Sequence, residues 1–105
     1  MDEIVKVDVL FRYDTTKGFE GTIFAVFPYD VVDHSGNVTV YQHIGQHSAG
    51  DYNLCLQTSR PATPAEYDDL KKELESIGYE VNVIKKRNYN KYLDNKKYNV
   101  WLQEI

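Results

Sequence analysis

The sequence is short of the residues that staple small secreted domains together, and of the segments that carry chains through membranes. Cys55 is the single cysteine in 105 residues, so no intramolecular disulfide can form and an oxidising compartment is not implied. No apolar run approaches the ~20 residues that a spanning helix needs. The start, Met1-Asp2-Glu3, is acidic where a secretory signal would be basic, so the expected location is the cytoplasm. Neither Gly-x-Gly-x-x-Gly nor a Walker sequence occurs, so nucleotide-dependent chemistry is not suggested. There are no internal repeats.

What remains is the composition of an ordinary folded domain. An apolar share of 42% with 27% charge argues against disorder, and 105 residues suffice for one core, a single domain over 1–105. Nine tyrosines stand out; they favour strands, and surfaces where a ring and a hydroxyl are both used. The net charge of −4 conceals an asymmetry. Residues 1–84 carry 14 acids and 6 bases, a balance of −8, while residues 85–105 carry 6 bases and 2 acids, a balance of +4.

Hydrophobic spacing predicts the elements. Over residues 5–13 every odd position is apolar or aromatic and three of the four even ones are charged, which predicts a strand with one face on a core and one in water. Residues 22–27 form a continuous apolar run, a strand covered on both faces or central in a sheet, with Pro28 expected to end it. Residues 38–44 read as a third strand, and short connections favour an antiparallel meander. Residues 45–51 read as a loop, and residues 52–56 as a short strand or an irregular lead into the next element.

The strongest pattern runs from Thr63 to Ile77. Thr63-Pro64-Ala65-Glu66 is a capping box with proline at the first helical position, Tyr67, Leu70, Leu74 and Ile77 make one apolar stripe, and Gly78 supplies the stop. Residues 79–83 alternate as a strand. A polar stretch rich in asparagine, lysine and tyrosine then reads as a long loop before a last strand over 98–102. The expected fold is α+β: an antiparallel β-sheet of four to six strands with one amphipathic helix (Thr63 to Ile77) packed on one face. Val5, Val7, Val9, Phe11, Phe24, Val26, Leu70, Leu74, Ile77, Val81 and Val83 are its expected core.

Three stretches, Tyr41-Gln42-His43-Ile44-Gly45-Gln46-His47-Ser48, Arg60-Pro61-Ala62-Thr63-Pro64-Ala65-Glu66-Tyr67 and Ser76-Ile77-Gly78-Tyr79, carry a resemblance. Together with the apolar strand ending in Phe27-Pro28, they resemble an uncharacterised family of small proteins from gut Bacteroidetes and their mobile elements and phages. The resemblance implies no activity. It does imply a setting among accessory genes of bacteria, plasmids or phages.

Two segments hold residues that could carry chemistry. The first is the polar stretch with His43, Gln46, His47, Ser48, Asp51 and Tyr52. Histidines four apart can share a metal on one helical face, and Asp51, Cys55 or His34 would complete a tetrahedral set, the basis of a metal-dependent hydrolase. The plainer account has these side chains bonding backbone in a loop, with no metal and no cofactor. Ser48, His47 and Asp51 are triad residue types, but neighbours in a short loop rarely converge on one atom. A Cys55–histidine pair would need the loop to fold back.

The second segment is basic and aromatic: Lys85, Lys86, Arg87, Tyr89, Lys91, Tyr92, Lys96 and Lys97. Lysine and arginine neutralise phosphates and tyrosines stack on unpaired bases, as single-stranded nucleic acid or RNA binding requires. The −8 body opposes that reading. The leading expectation is therefore a non-catalytic accessory protein that binds and modulates a protein partner, in the mobile-element setting an inhibitor of a host defence protein. Nucleic-acid binding and the metal hydrolase follow in that order, and exposed strand edges with many tyrosines are compatible with a homodimer.

Overall fold

The computed structural model describes residues 5–42 and 46–95, residues 46 and 47 by backbone alone. Strands β1 (Val5–Asp14), β2 (Ile23–Val31), β3 (Val38–Gln42) and β4 (Gln46–Gly50) form an antiparallel meander. A short helix α1 (Tyr52–Gln57), strand β5 (Ser59–Pro61), helix α2 (Pro64–Ser76) and strand β6 (Tyr79–Val83) follow, and residues 89–95 are helical. The fold is α+β, an open six-stranded sheet in the order β4-β3-β2-β1-β5 with β6 also on β1. No helix among the described residues is long and apolar enough to cross a membrane.

β1 changes partner partway along one edge. Its first half pairs with β6 from Val5↔Tyr79 to Val9↔Val83, and this pairing is parallel, a departure from the antiparallel expectation. Its second half pairs antiparallel with β5, from Arg12↔Pro61 to Asp14↔Ser59. Val5 N–H donates to Gly78 C=O at 3.0 Å, and Val9 and Phe11 carbonyls accept from Ile84 and Ala62 at 2.9 Å. All three are odd positions, so β6 and β5 occupy the same edge in succession. Even positions point the other way, as Asp14 N–H to Thr22 C=O at 2.9 Å shows.

Pro28 does not end β2, as the sequence suggested, but it ends the pairing with β1. That ladder stops at Leu10↔Val26; the next inward position, Asp8, would meet Pro28, which has no N–H to give. The β2–β3 register also shifts between Phe27 and Val31, so the proline sits in a buried bulge.

Helix α2 forms as its sequence predicts. Thr63 Oγ1 accepts from Glu66 N–H at 3.3 Å, Glu66 Oε1 accepts from Thr63 N–H at 2.9 Å, and Gly78 follows the helix at φ 109°. Its stripe packs on the odd-position face of the sheet, where Val9, Phe11, Ala25, Phe27 and Tyr41 join Leu70 and Leu74. Phe11 stacks on Tyr67 at 4.5 Å, and the Tyr41 hydroxyl donates to the Glu73 carboxylate.

The even-position face is not open to water. Leu10, Phe24, Val26, Val38 and Val40 form a second core covered by Tyr52 of α1 and Tyr92 of the last helical segment. Arg12 is buried there, its Nε donating to Ser59 Oγ and its Nη2 to Ser59 C=O, both at 2.8 Å. Hydrogen bonds thus satisfy a charge that strand alternation assigned to solvent. Three expected core residues are exposed: Ile77 is the C-cap of α2, and Val5 and Val83 lie near the ends of the β1–β6 pairing. Val7 and Val81 are half-buried.

The capping box also sets a pH dependence. Arg60 grips Glu66 with bonds of 2.9 and 2.7 Å, and that pairing, then the Thr63 backbone, lowers the Glu66 carboxyl from 4.5 to about 2. A carboxyl lowered on folding stabilises above its unfolded pKa and loses that contribution as pH falls towards the folded value. Glu66→Gln should therefore melt below the parent chain at pH 7, with the gap closing between pH 4.5 and about 2. Paired thermal melts across that range check it; a constant gap contradicts the linkage.

Candidate functional site

From Gln46 to Gly50 the histidine stretch is a strand rather than a loop. Residues 46–50 are strand β4, paired with β3 from Val38↔Gly50 to Gln42↔Gln46. His43 lies outside the described residues, Gln46 and His47 belong to β4, and Ser48 is exposed on it. Asp51 caps α1, accepting from Leu54 N–H at 2.9 Å through Oδ1. Tyr52 is 6% exposed and belongs to the second core. Among the described residues no three His, Cys, Asp or Glu side chains converge as a metal site would need. Cys55 is half-buried, and burial, then the nearby Asp51 charge, pushes its thiol up, which disfavours the thiolate a nucleophile requires.

The basic segment divides into two populations. Residues 89–95 are helical rather than a loop, with Asn88 as the cap: its Oδ1 accepts from Lys91 N–H at 3.1 Å. That helix turns Tyr92 inward, where its hydroxyl donates to Gly36 C=O at 2.9 Å, so it is a core residue rather than a stacking platform. Lys91 turns to the N-terminal half of β1, pairs with Asp8 at 3.2 Å and lies 4.5 Å over the Tyr29 ring. The Asn82 amide, donating at 2.9 Å, and then Lys91 hold the Asp8 carboxyl below its usual range. Lys96 and Lys97 lie outside the described residues, as does the expected strand over 98–102.

Lys85, Lys86, Arg87 and Tyr89 stay together beside α1. The Arg87 guanidinium lies between two rings, 3.8 Å from the Tyr52 centroid and 3.7 Å from that of Tyr92, with Tyr89 at 5.8 Å. Its backbone N–H donates to the Tyr52 hydroxyl at 3.2 Å. Arg87 Nη1 is buried and has no hydrogen-bond partner among the described residues. Stacking between rings supplies the contact in place of an acceptor.

Between α1 and this segment runs an open groove of about 490 Å³, with Arg12 at its base, Tyr52 and Leu56 on one wall and Lys85, Lys86 and Tyr89 on the other. None of the described residues lining it is acidic, although the chain has 16 acids and 12 bases. Lys85 and Lys86 are exposed and make no ion pair among the described residues, and Tyr89 is 60% exposed. Two of the four cations are thus committed to the fold, and two are free.

Sequence reasoning missed the part that α1 plays. Leu56 and Tyr52 wall the groove only because residues 52–57 are helical, and the one signal for that is Asp51 three residues before Leu54, a cap without a long apolar stripe behind it. Arg12 was hidden in a strand pattern. No protein-family model, no curated protein and no solved structure matches the chain.

Proposed function

We propose that this protein is a non-catalytic binding module that takes an acidic segment of a protein partner in the groove between α1 and residues 85–89. The observation that carries the reading is the concentration of cations, with no acid among the described lining residues, in a chain of net charge −4. Electrostatic focusing of that kind raises the encounter rate and selects the sign of the partner. Tyr52, Leu56 and Tyr89 supply apolar wall beside the charge, the mixture of ring and cation common at protein interfaces.

A protein segment suits the groove better than a nucleic acid does. Arg12 and Arg87 are tied down by hydrogen bonds and by rings, which leaves two free lysines for phosphates among the described residues of the groove. Two phosphate contacts give weak, salt-sensitive binding. Among the described residues one exposed tyrosine, Tyr89, is a thin platform for stacked bases. The resemblance to small mobile-element proteins extends the proposal to inhibition of a host defence protein; the groove bears only on the chemistry of the partner.

Charge reversal tests the reading. The Lys85→Glu/Lys86→Glu double variant, at exposed positions, should fold as the parent and lose at least tenfold in affinity for a labelled Asp/Glu-rich peptide, measured by fluorescence anisotropy at low salt. Unchanged affinity would sink the proposal. Tighter binding of a labelled oligothymidylate than of the peptide, lost in the same variant, would transfer the groove to single-stranded nucleic acid.

A further inference from the structure

The change of partner along β1 leaves a second concavity that opens beside the first. β6 is bonded to β1 as far as Ile84, and β5 and its continuation take over at Ala62, so the two chains part across Leu10 and Phe11. Into that parting opens a cleft of about 130 Å³ walled by Pro61, Ala62, Pro64, Tyr67, Val83 and Ile84. Arg12 and Lys85 line both this cleft and the larger groove, so the two adjoin at the same two cations. Diverging chains cannot fill the space between them, and an apolar concavity of this kind with a few polar groups at its lip is the usual form of a ligand pocket.

We infer that the cleft is the anchor pocket of the groove: it takes one branched apolar side chain, of leucine size, from the partner segment whose adjacent acidic residue pairs with Lys85. This rests on the groove being a docking site for an acidic protein segment. Three features fix the chemistry. The six wall residues offer hydrocarbon and one ring, so the occupant is apolar. The volume is close to the roughly 150 Å³ apolar cavity that takes a benzene-sized guest, which suits an isobutyl group and excludes an indole. Lys85 at the shared lip, with no acidic residue among the described lining, sets the sign of the neighbouring residue. Pro61 and Pro64 restrain the rim, so little order has to be gained on binding.

The test uses the full chain, isotope-labelled, and two ten-residue peptides rich in Asp and Glu that differ only in a central Leu or Ser. The Leu peptide should bind roughly tenfold more tightly, since one leucine side chain leaves water. It should shift the Ala62, Val83 and Ile84 amides, which the Ser peptide leaves in place while still shifting those of residues 85–87. Filling the cleft with Ala62→Leu should abolish the Leu preference and leave Ser-peptide binding unchanged; a melt confirms that the variant folds. Equal affinities for the two peptides on the parent chain, with both acting at residues 85–87, overturn the anchor pocket and leave the groove proposal standing. No shift at residues 85–87 with either peptide overturns both, and the parent-chain comparison decides the matter even if Ala62→Leu fails to fold.

Discussion

Tyr52→Ala should cost about 3–5 kcal/mol of folding stability, as removal of a large buried ring does. Few positions in the chain combine so many roles. Tyr52 is 6% exposed, seals the second core against Leu10 and Val40, stacks beneath Arg87 at 3.8 Å and accepts the Arg87 N–H at 3.2 Å. Truncation opens a cavity under α1 and strips one of the two rings that hold the half-buried Arg87, whose buried Nη1 has no hydrogen-bond partner among the described residues. Domains of this size are stable by about 5–15 kcal/mol, so a loss of that order moves the urea midpoint far down. Tyr52→Phe keeps the ring and forfeits only the hydroxyl acceptor, at about 1 kcal/mol. Urea unfolding of both variants measures the difference; a loss below about 1 kcal/mol for Tyr52→Ala would mean that α1 does not close that core. Acidic-peptide binding should weaken in Tyr52→Ala as well, because the groove wall goes with the ring.

Leu74→Ala should cost a comparable 2–5 kcal/mol while leaving the groove intact. Leu74 is 0% exposed and packs in the α2-side core with Val9, Phe11, Ala25 and Phe27. The sheet stands between that core and the groove. Under conditions where the variant is still folded, its affinity for the acidic peptide that carries Ser, which uses the groove without the cleft beside Tyr67, should equal that of the parent. The pair of variants thus separates holding the fold from shaping the site: both lower the urea midpoint, and only one changes binding. Loss of binding in folded Leu74→Ala would tie the groove to the opposite face and contradict the division into two cores.

The residues that announced themselves in the sequence were those whose role is satisfied locally. Thr63, Pro64, Glu66 and Gly78 complete one another within a few positions, so α2 could be read with its ends. The alternation of β1 likewise reported its odd-position face, where Val9 and Phe11 are buried. What escaped was settled at long range. Arg12 looks like a solvent charge until Ser59, 47 residues on, supplies its acceptors. Residues 46–50 contain no apolar alternation and become a strand because β3 offers an unpaired edge. Six residues of α1 are too few for a helical period, and residues 89–95 carry asparagine and tyrosine that read as loop until Asn88 caps them. The candidate site was half legible for the same reason: Lys85, Lys86 and Tyr89 were named from composition, whereas Leu56 opposite them was not and Tyr52 was named only with the histidine stretch.

The double partnership of β1 has a consequence for how the chain reaches this state. β1 is the first strand in the sequence, yet its N-terminal half finds its partner only at Tyr79 to Val83, 74 residues later at every paired position. During synthesis the hairpins from β1 to β4 can close early, while that half-edge waits, unpaired, for nearly the whole domain to emerge. Closing so long a loop is slow because its entropy is lost before any contact repays it. Until then the waiting half-edge is what a second nascent chain could capture, and Lys6 and Asp8, charged residues on that very stretch, are the kind that discourage such capture.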